Sequence, residues 1–542
     1  MSNLFGIGLS GLGAAQTALA TTSNNISNVK TPGYNRQVVG LSTSQQGDGQ
    51  GGGVRTTGVE RQYQQYLTGQ LNDAQSRSSA LDSHLGQISQ INNLLGDSEA
   101  GLAPLMQKFF SGLQTLSASP ADSAARESLL GDANSMTAQF RAFSEYLSDM
   151  GESVESQMKG AITQVNNYAE QISNLNTQIV QAQAKTGQAP NNLLDQRDQL
   201  VSALGDLVDV KLSVQDGNSY HVMVAGQPLV DATGAKSLKL VDSSADPTRS
   251  AIAFDVGNGQ LRELSETSIK GGSIGGLLAF RKDSLEPAQQ RLDQLAHTLA
   301  ARMNEVHQGG TTYKGQAGGA FFEVASPVSF SDEKNSGTAS LEVTFTEGAS
   351  AEVRASNYRL EYNGDTNSYA LTRTSDGNKR FFGGDESPLQ FDGVEVRVQG
   401  DVADGDAFVI KPLDRAAASM EVAVKNTSEI AAAQGGGTGD NRNALAMAAL
   451  QDETAIEGES SFNSGYARLV SDIGNKTRSL QVNSSAQQML TSELATAQQS
   501  VSGVNLDEER VNLLYYQQMY QANAKVIETA ASLFDTLLGI RA

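Results

Sequence analysis

The residues most able to do chemistry form no constellation in this sequence. Gly6-Ile7-Gly8-Leu9-Ser10-Gly11 has the glycine spacing of a dinucleotide-binding loop, which cradles a pyrophosphate only between a strand and a helix. It begins at residue 6, with no room for the strand, so small residues on a packed helix explain the glycines better. Ser27-Asn28-Val29-Lys30 has the Ser-x-x-Lys spacing of a nucleophilic serine, but the companion Ser-Asp-Asn and Lys-Thr-Gly motifs are absent. Of the histidines at 84, 221, 297 and 307, no pair has the i, i+4 spacing of a metal site. His84, His297 and His307 are expected on helices among polar neighbours, solvated, and His221 in a strand. Asp401, Asp404 and Asp406 faintly match a calcium loop. Lys411 and Pro412 stand where its bidentate glutamate belongs, so a polar hairpin is the better reading. Asp507-Glu508-Glu509 suits a helix N-terminus, where carboxylates meet the positive end of the dipole. A basic patch on a neighbouring subunit is its alternative partner. These residues assign no catalytic group, cofactor or metal. The chain reads as a structural or interaction protein, and a surface hydrolase carried in its β blocks is the remote enzyme alternative.

Composition narrows the class. The chain has 542 residues, enough for three or four domains, with 54 Gly, 10 Pro and no Cys or Trp. Without Cys there is no disulfide, thiolate metal site or cysteine nucleophile. A formal charge of −21 disfavours nucleic acid and anionic membranes as partners. No unbroken apolar run of 18 or more residues is present, so no membrane-spanning helix is expected. Phe5–Ala20 is apolar and Ala18-Leu19-Ala20 resembles a signal-peptidase site. The first basic residue is Lys30, however, so a cleaved signal is not expected and export would use another route.

The elements that must position these residues come in a distinctive order. Phe5, Leu12, Leu19 and Ile26 stand seven apart, with Ala15, Thr22 and Val29 as a companion row. Leu506, Leu513, Tyr520, Ile527 and Phe534 repeat the spacing at the other end, with Ala524, Ala531 and Leu538 beside them. Seven-residue apolar repeats put one stripe on a helix and ask for a partner helix. Pro32-Gly33 ends the first helix, and 34–62 reads as extended. Helices follow to about Asp97, then at 99–118, 121–150 and 151–185. Alternation at Val208, Val210, Leu212, Val214 and at Tyr220, Val222, Val224 marks hairpins reaching about 268. Residues 273–307 are helical, a second β block covers about 325–425, Gln434–Gly439 is a linker, and the remainder is helical. The fold class is α+β multidomain, with a terminal α-helical coiled coil, an elongated helical bundle and two inserted mainly-β domains. The domains are 1–62 with 500–542; 63–205 with 269–324 and 426–499; 206–268; and 325–425.

Specific segments carry a family resemblance. Ser10-Gly11-Leu12-Gly13-Ala14-Ala15-Gln16-Thr17-Ala18-Leu19, Ser23-Asn24-Asn25-Ile26-Ser27-Asn28 and Pro32-Gly33-Tyr34-Asn35-Arg36-Gln37 resemble the N-terminal signature of bacterial flagellar rod, hook and hook-associated proteins. Ser502-Gly503-Val504-Asn505-Leu506-Asp507-Glu508-Glu509 and Tyr515 to Val526 resemble the C-terminal one. Within 192–201, 244–249 and 469–477 the likeness narrows to hook-associated members at the hook–filament junction. The hook protein or a distal rod protein is the alternative.

The resemblance implies a structural subunit, exported without a cleaved signal and ordered at the distal end of the growing flagellum. It implies a ring of copies between the hook protein and hook-associated protein 3, placed beneath the filament cap. It also implies an export chaperone of the FlgN type on the C-terminal helices, and no nucleic acid or membrane insertion. Terminal helices of this family are disordered in monomers and form a coiled coil lining the tube. Phe5, Leu12, Leu19, Ile26, Leu506, Leu513, Tyr520, Ile527, Phe534 and Leu538 are the expected assembly interface.

Overall fold

The computed structural model describes residues 2–45, 51–96 and 101–541. The helix end expected at Asp97 and the start expected at 99 lie outside them.

Helix α1 (Ser2–Ser27) stops before Pro32-Gly33, where Gly33 takes a positive φ of 76° that a side chain resists. The segment read as extended is a hairpin, β1 (Gln37–Gln45) with β2 (Gly51–Arg61), antiparallel from Gln37 opposite Arg61. Then come α2 (Gln65–Leu95), α3 (Leu102–Ala118), α4 (Ser123–Thr186) and α5 (Asn191–Leu207). The two helices expected over 121–185 are one, 64 residues long and about 96 Å at 1.5 Å per residue. Asp122 caps its start by accepting from the Ala124 amide at 2.9 Å, and Gly187 ends it at φ 69°. Gly151 costs this helix about 1 kcal/mol relative to Ala. The buried row Met150, Val154, Met158, Ile162, Val165 carries the helix through it.

A four-stranded antiparallel sheet spans Val210–Ala235 and a three-stranded one Leu238–Glu263. Their inward residues Val222, Val224, Ile252 and Phe254 share one continuous core with α2–α5 and with the next two helices. Those are α6 (Gly272–Phe280) and α7 (Glu286–Gln308), joined by a π turn over Arg281–Leu285, so residues 273–307 are helical as expected, with one widened turn before Pro287. An outer sandwich of five- and three-stranded antiparallel sheets spans Val328–Lys411 and has its own core, around Tyr358, Leu360, Phe391 and Phe408. The single turn α8 (Ala416–Ser419) and α9 (Arg442–Ala449) lead back to the rod. Chain 450–461, read as helix, begins with one 3-10 turn and is then irregular before α10 (Phe462–Ser502). Helix α10 ends at Gly503, and α11 (Leu506–Arg541) follows. Helix α2 packs on α10 and α1 on α11.

Candidate assembly site at the paired termini

The two ends meet within one chain, so the pairing left open by the repeats is intramolecular. A Cβ added at Gly8 would stand 2.8 Å from Ile527 Cγ1, and one at Gly11 would run into the Asn523 amide. Further along, Asn25 reaches Glu509. Moving forward on α1 therefore means moving back on α11, so the pair is antiparallel. The buried residues of α1 are Gly8, Gly11, Ala14, Ala15, Ala18, Thr21, Thr22 and Asn25. Within them Gly8, Gly11, Ala15, Ala18, Thr22 and Asn25 alternate steps of three and four, the period of a coiled-coil seam. The same period on α11 picks out Glu509, Asn512, Tyr516, Met519, Asn523, Val526 and Ala530, all buried or half-buried. Small residues on one helix thus face larger ones on the other.

The rows singled out by apolar size lie one residue beyond this seam, turned about 100° from it. Leu12, Leu19, Ile26, Leu513 and Ile527 are half-buried; Ile527 reaches α1 at Gly8. Phe5 (41%), Phe534 (53%) and Leu538 (55%) are open to solvent, with Leu506 and Tyr520 just over one-third exposed. The register places Ser2 near Ser532, so α11 overhangs α1 from Leu533 onward, about 12 Å of helix. Leu533, Phe534, Leu537, Leu538 and Ile540 are all exposed on that overhang. Leu4–Ser27 is also long and apolar enough to cross a membrane by length and composition, contrary to expectation. Gly, Ser and Thr interrupt the apolar run there without making the segment hydrophilic.

A polar hub closes the inner end of the pair. Asn25 Nδ2 donates to Gln37 O (2.8 Å) and Glu509 Oε2 (3.1 Å), while its Oδ1 accepts from Tyr34 Oη (2.8 Å) and Gln37 N (3.0 Å). Arg36 binds Glu509 (2.7 Å) and Glu508 (2.9 Å), and its amide donates to Ser502 O at the end of α10. Glu509 is 1% exposed. Burial, with the negative charges of Asp195 and Glu509, pushes the Tyr34 hydroxyl up to about 12. Next to this hub, Asn35 donates to Asp195 (2.7 Å), and Arg61 joins Asp195 (3.0 Å) to Asp198 (2.6 Å). Burial opposes the charge on Arg61, but the Asp198 and Asp195 carboxylates outweigh it and hold the guanidinium above its usual range. Burial raises Asp195 against the bonds from Asn35 and Arg61.

The signature residues Asn25, Tyr34, Asn35, Arg36, Asp195 and Glu509, more than 450 positions apart at their extremes, are therefore one joint between terminal pair, hairpin and rod. Apolar spacing does not disclose this joint; the signal was the motif identity itself. The basic partner of Glu508 and Glu509 is Arg36 of the same chain.

The other candidate chemistry takes structural places. His84, His297 and His307 are not solvated: all are at most 5% exposed. Beside His297 the polar residues Gln294 and Thr298 are buried with it. His84 Nε2 meets Ser284 Oγ (2.8 Å), His297 stacks on Phe345 at 3.9 Å, and His307 bridges Gly319 O and the Ala431 amide. Asp406 is buried and accepts from the Ser336, Gly337 and Ala403 amides, closing a loop of the outer sandwich. Among the described residues, no group of three His, Asp or Glu is placed to hold a metal ion.

The two ends of the chain close on each other, with the helical rod and the β units between them in sequence, and the protein class that matches this chain is that of bacterial flagellar proteins. Sequence models agree at both ends: flagella basal body rod protein over 5–35 and flagellar basal body rod FlgEFG protein C-terminal over 497–540. Between them match the flagellar hook-associated protein FlgK helical domain (88–322) and the flagellar hook-associated protein 1 D2-like domain (330–412). Flagellar hook-associated protein 1 of Salmonella typhimurium is 42% identical over 558 residues, and that of Escherichia coli K12 is 40% identical over 551, each covering the whole of both chains. The solved flagellar hook junction protein FlgK of Burkholderia pseudomallei superposes with a TM-score of 0.76 at 28% identity, over 80% of this chain and 100% of that one. The chain belongs to the flagellar hook-associated protein 1 family, whose members are structural components of the flagellum.

Proposed function

We propose that this chain is a structural subunit of the hook–filament junction, outside the cell, where copies of it form a short ring required for filament growth. The observation that supports this most directly is the bulky row around Phe5, Phe534 and Leu538. It is left uncovered on a helix pair whose own seam is already filled. An exposed apolar row of that kind marks a surface that another chain covers. Residues 1–62 with 500–542 form the inner-tube domain; 63–205 with 269–324 and 426–499 form the rod. Residues 206–268 are a β unit built onto the core of the rod and 325–425 stands outside it with a core of its own, and both space and stiffen the ring. The neighbours are the hook protein below and hook-associated protein 3 above, with the filament cap over the growing end. An export chaperone of the FlgN type covers the C-terminal helices before passage without a cleaved signal. The chain acts without catalysis, cofactor, nucleic acid or membrane insertion.

Deleting residues 506–542 tests the reading. A flagellated strain carrying only that variant is expected to make hooks without attached filaments. Normal attached filaments would overturn the assembly role of this end.

A further inference from the structure

The seam between α1 and α11 sets its own register only weakly. From Gly8 to Ala18 its α1 side is nearly featureless, Gly8, Gly11, Ala15 and Ala18, and α11 offers it a seam position at the same phase every seven residues, Tyr516, Asn523 and Ala530. Gly11 faces Asn523. Sliding α11 by one heptad would put Gly11 opposite Tyr516 or Ala530 and again set a small residue against the partner helix. The small residues Gly8, Gly11, Ala15 and Ala18 leave that stretch of α1 with few knobs of its own, so packing there discriminates less sharply than a seam of large interlocking side chains would. Heptad helices commonly solve this with one buried polar residue that is satisfied in only one alignment.

We propose that Glu509, held by Arg36 and Asn25, is the register lock of the paired termini: it fixes which turn of α11 faces which turn of α1. Glu509 is buried, and both its oxygens are occupied, Oε1 by Arg36 Nε at 2.7 Å and Oε2 by Asn25 Nδ2 at 3.1 Å. Arg36 and Asn25 cannot follow a sliding helix. The Arg36 amide is tied to Ser502 O, and Gln37 holds Asn25 through donor and acceptor. A one-heptad slip would carry Glu509 toward Ala18 or beyond the end of α1, leaving Arg36 and Asn25 without their acceptor. Unmade buried charged hydrogen bonds are costly, whereas that stretch of the seam loses less. The lock therefore also sets how far Leu533–Ile540 overhangs α1, and so the height at which the exposed apolar row is presented. This goes beyond the proposed junction role and stands whether or not that role does.

The chain has no Cys, so engineered pairs read the register on a clean background. In the full-length protein, Ala15→Cys with Met519→Cys, which the register sets opposite each other, reports the native alignment, while Ala15→Cys with Asn512→Cys or with Val526→Cys reports one-heptad slips. With Glu509 present, oxidation is expected to cross-link the first pair predominantly. Glu509→Leu is expected to lower the ratio of native to slipped cross-link about tenfold or more. The exchanged pair Arg36→Glu with Glu509→Arg is expected to restore much of it. An unchanged ratio in Glu509→Leu overturns the proposal. So does loss of every cross-link with both helices melted in far-UV circular dichroism, because the hub would then hold the helices together rather than align them.

Discussion

Ala15→Leu and Leu12→Ala separate a small-residue seam from a conventional apolar one. Ala15 is 0% exposed within the α1–α11 seam, while Leu12, three residues away, is half-buried on its flank. Three extra heavy atoms at Ala15 must push the helices apart or leave their rotamer, at a cost of about 1–3 kcal/mol. At 1.4 kcal/mol per factor of ten, local opening of the pair rises about 5- to 140-fold. Truncating a half-buried leucine should cost about 1 kcal/mol, half of a full burial. A seam built on the large heptad residues predicts the reverse order, with Leu12→Ala costing about 2–5 kcal/mol as a core truncation. Native-state hydrogen exchange of the α1 and α11 amides in the full chain reads the opening equilibrium directly. Faster exchange in Leu12→Ala than in Ala15→Leu would refute the seam.

Two further outcomes follow from groups away from the termini. Lys411 of the outer sandwich pairs with Asp246 at 2.7 Å, Lys334 reaches Ser244, and Arg249 of the same loop binds Glu266 and Glu286 on the rod side. Lys411→Met should cost the docking of the sandwich about 1–3 kcal/mol and speed limited proteolysis at the strands' connections to the rod; unchanged cleavage would count against this clamp. Burial lowers His297 to about 4, and both its ring nitrogens lack hydrogen-bond partners among the described residues. Below pH 6.5 the unfolded chain takes a proton that the folded site refuses. Stability is therefore full above that pH and falls by roughly 3 kcal/mol at most as pH drops toward 4. His297→Phe, which keeps a ring on Phe345, should reduce the slope of the urea-midpoint profile between pH 6.5 and 4.5, leaving the part contributed by His84, which burial also lowers to about 4, and an unaltered slope would exclude His297 as a source.

The order helix, β, helix, β, helix is legible because period-2 and period-3.6 patterns alternate cleanly along the chain. The hairpins around Asp216-Gly217-Asn218 and Asn363-Gly364 fall where the turn residues stand. The terminal stripes were legible as heptads but not as to which face is covered. Apolar size draws attention to Leu12 and Leu19, whereas close helix approach selects Gly11, Ala15 and Ala18, which such a reading scores as filler. Helix α4 shows the converse: Gly151 is a local breaker whose cost is overridden by the core on either side. The buried histidines escaped because their surroundings come from α6, the sandwich and the 431 loop, far away in sequence. The Asn25–Arg36–Glu509 hub escaped for the same reason, although each of its members stands in a quoted signature.

The central claim is that the bulky row beside the seam, not the seam itself, is the surface left for neighbouring subunits. Phe534→Ser with Leu538→Ser tests it, since both side chains are more than half exposed and their loss should leave the folded chain intact. In a strain carrying only this variant, the amount of the chain attached to sheared flagella is measured against the amount free in the medium. The account predicts normal export with most of the variant free in the medium and few attached filaments. Export and attachment both at the unmutated level would contradict it.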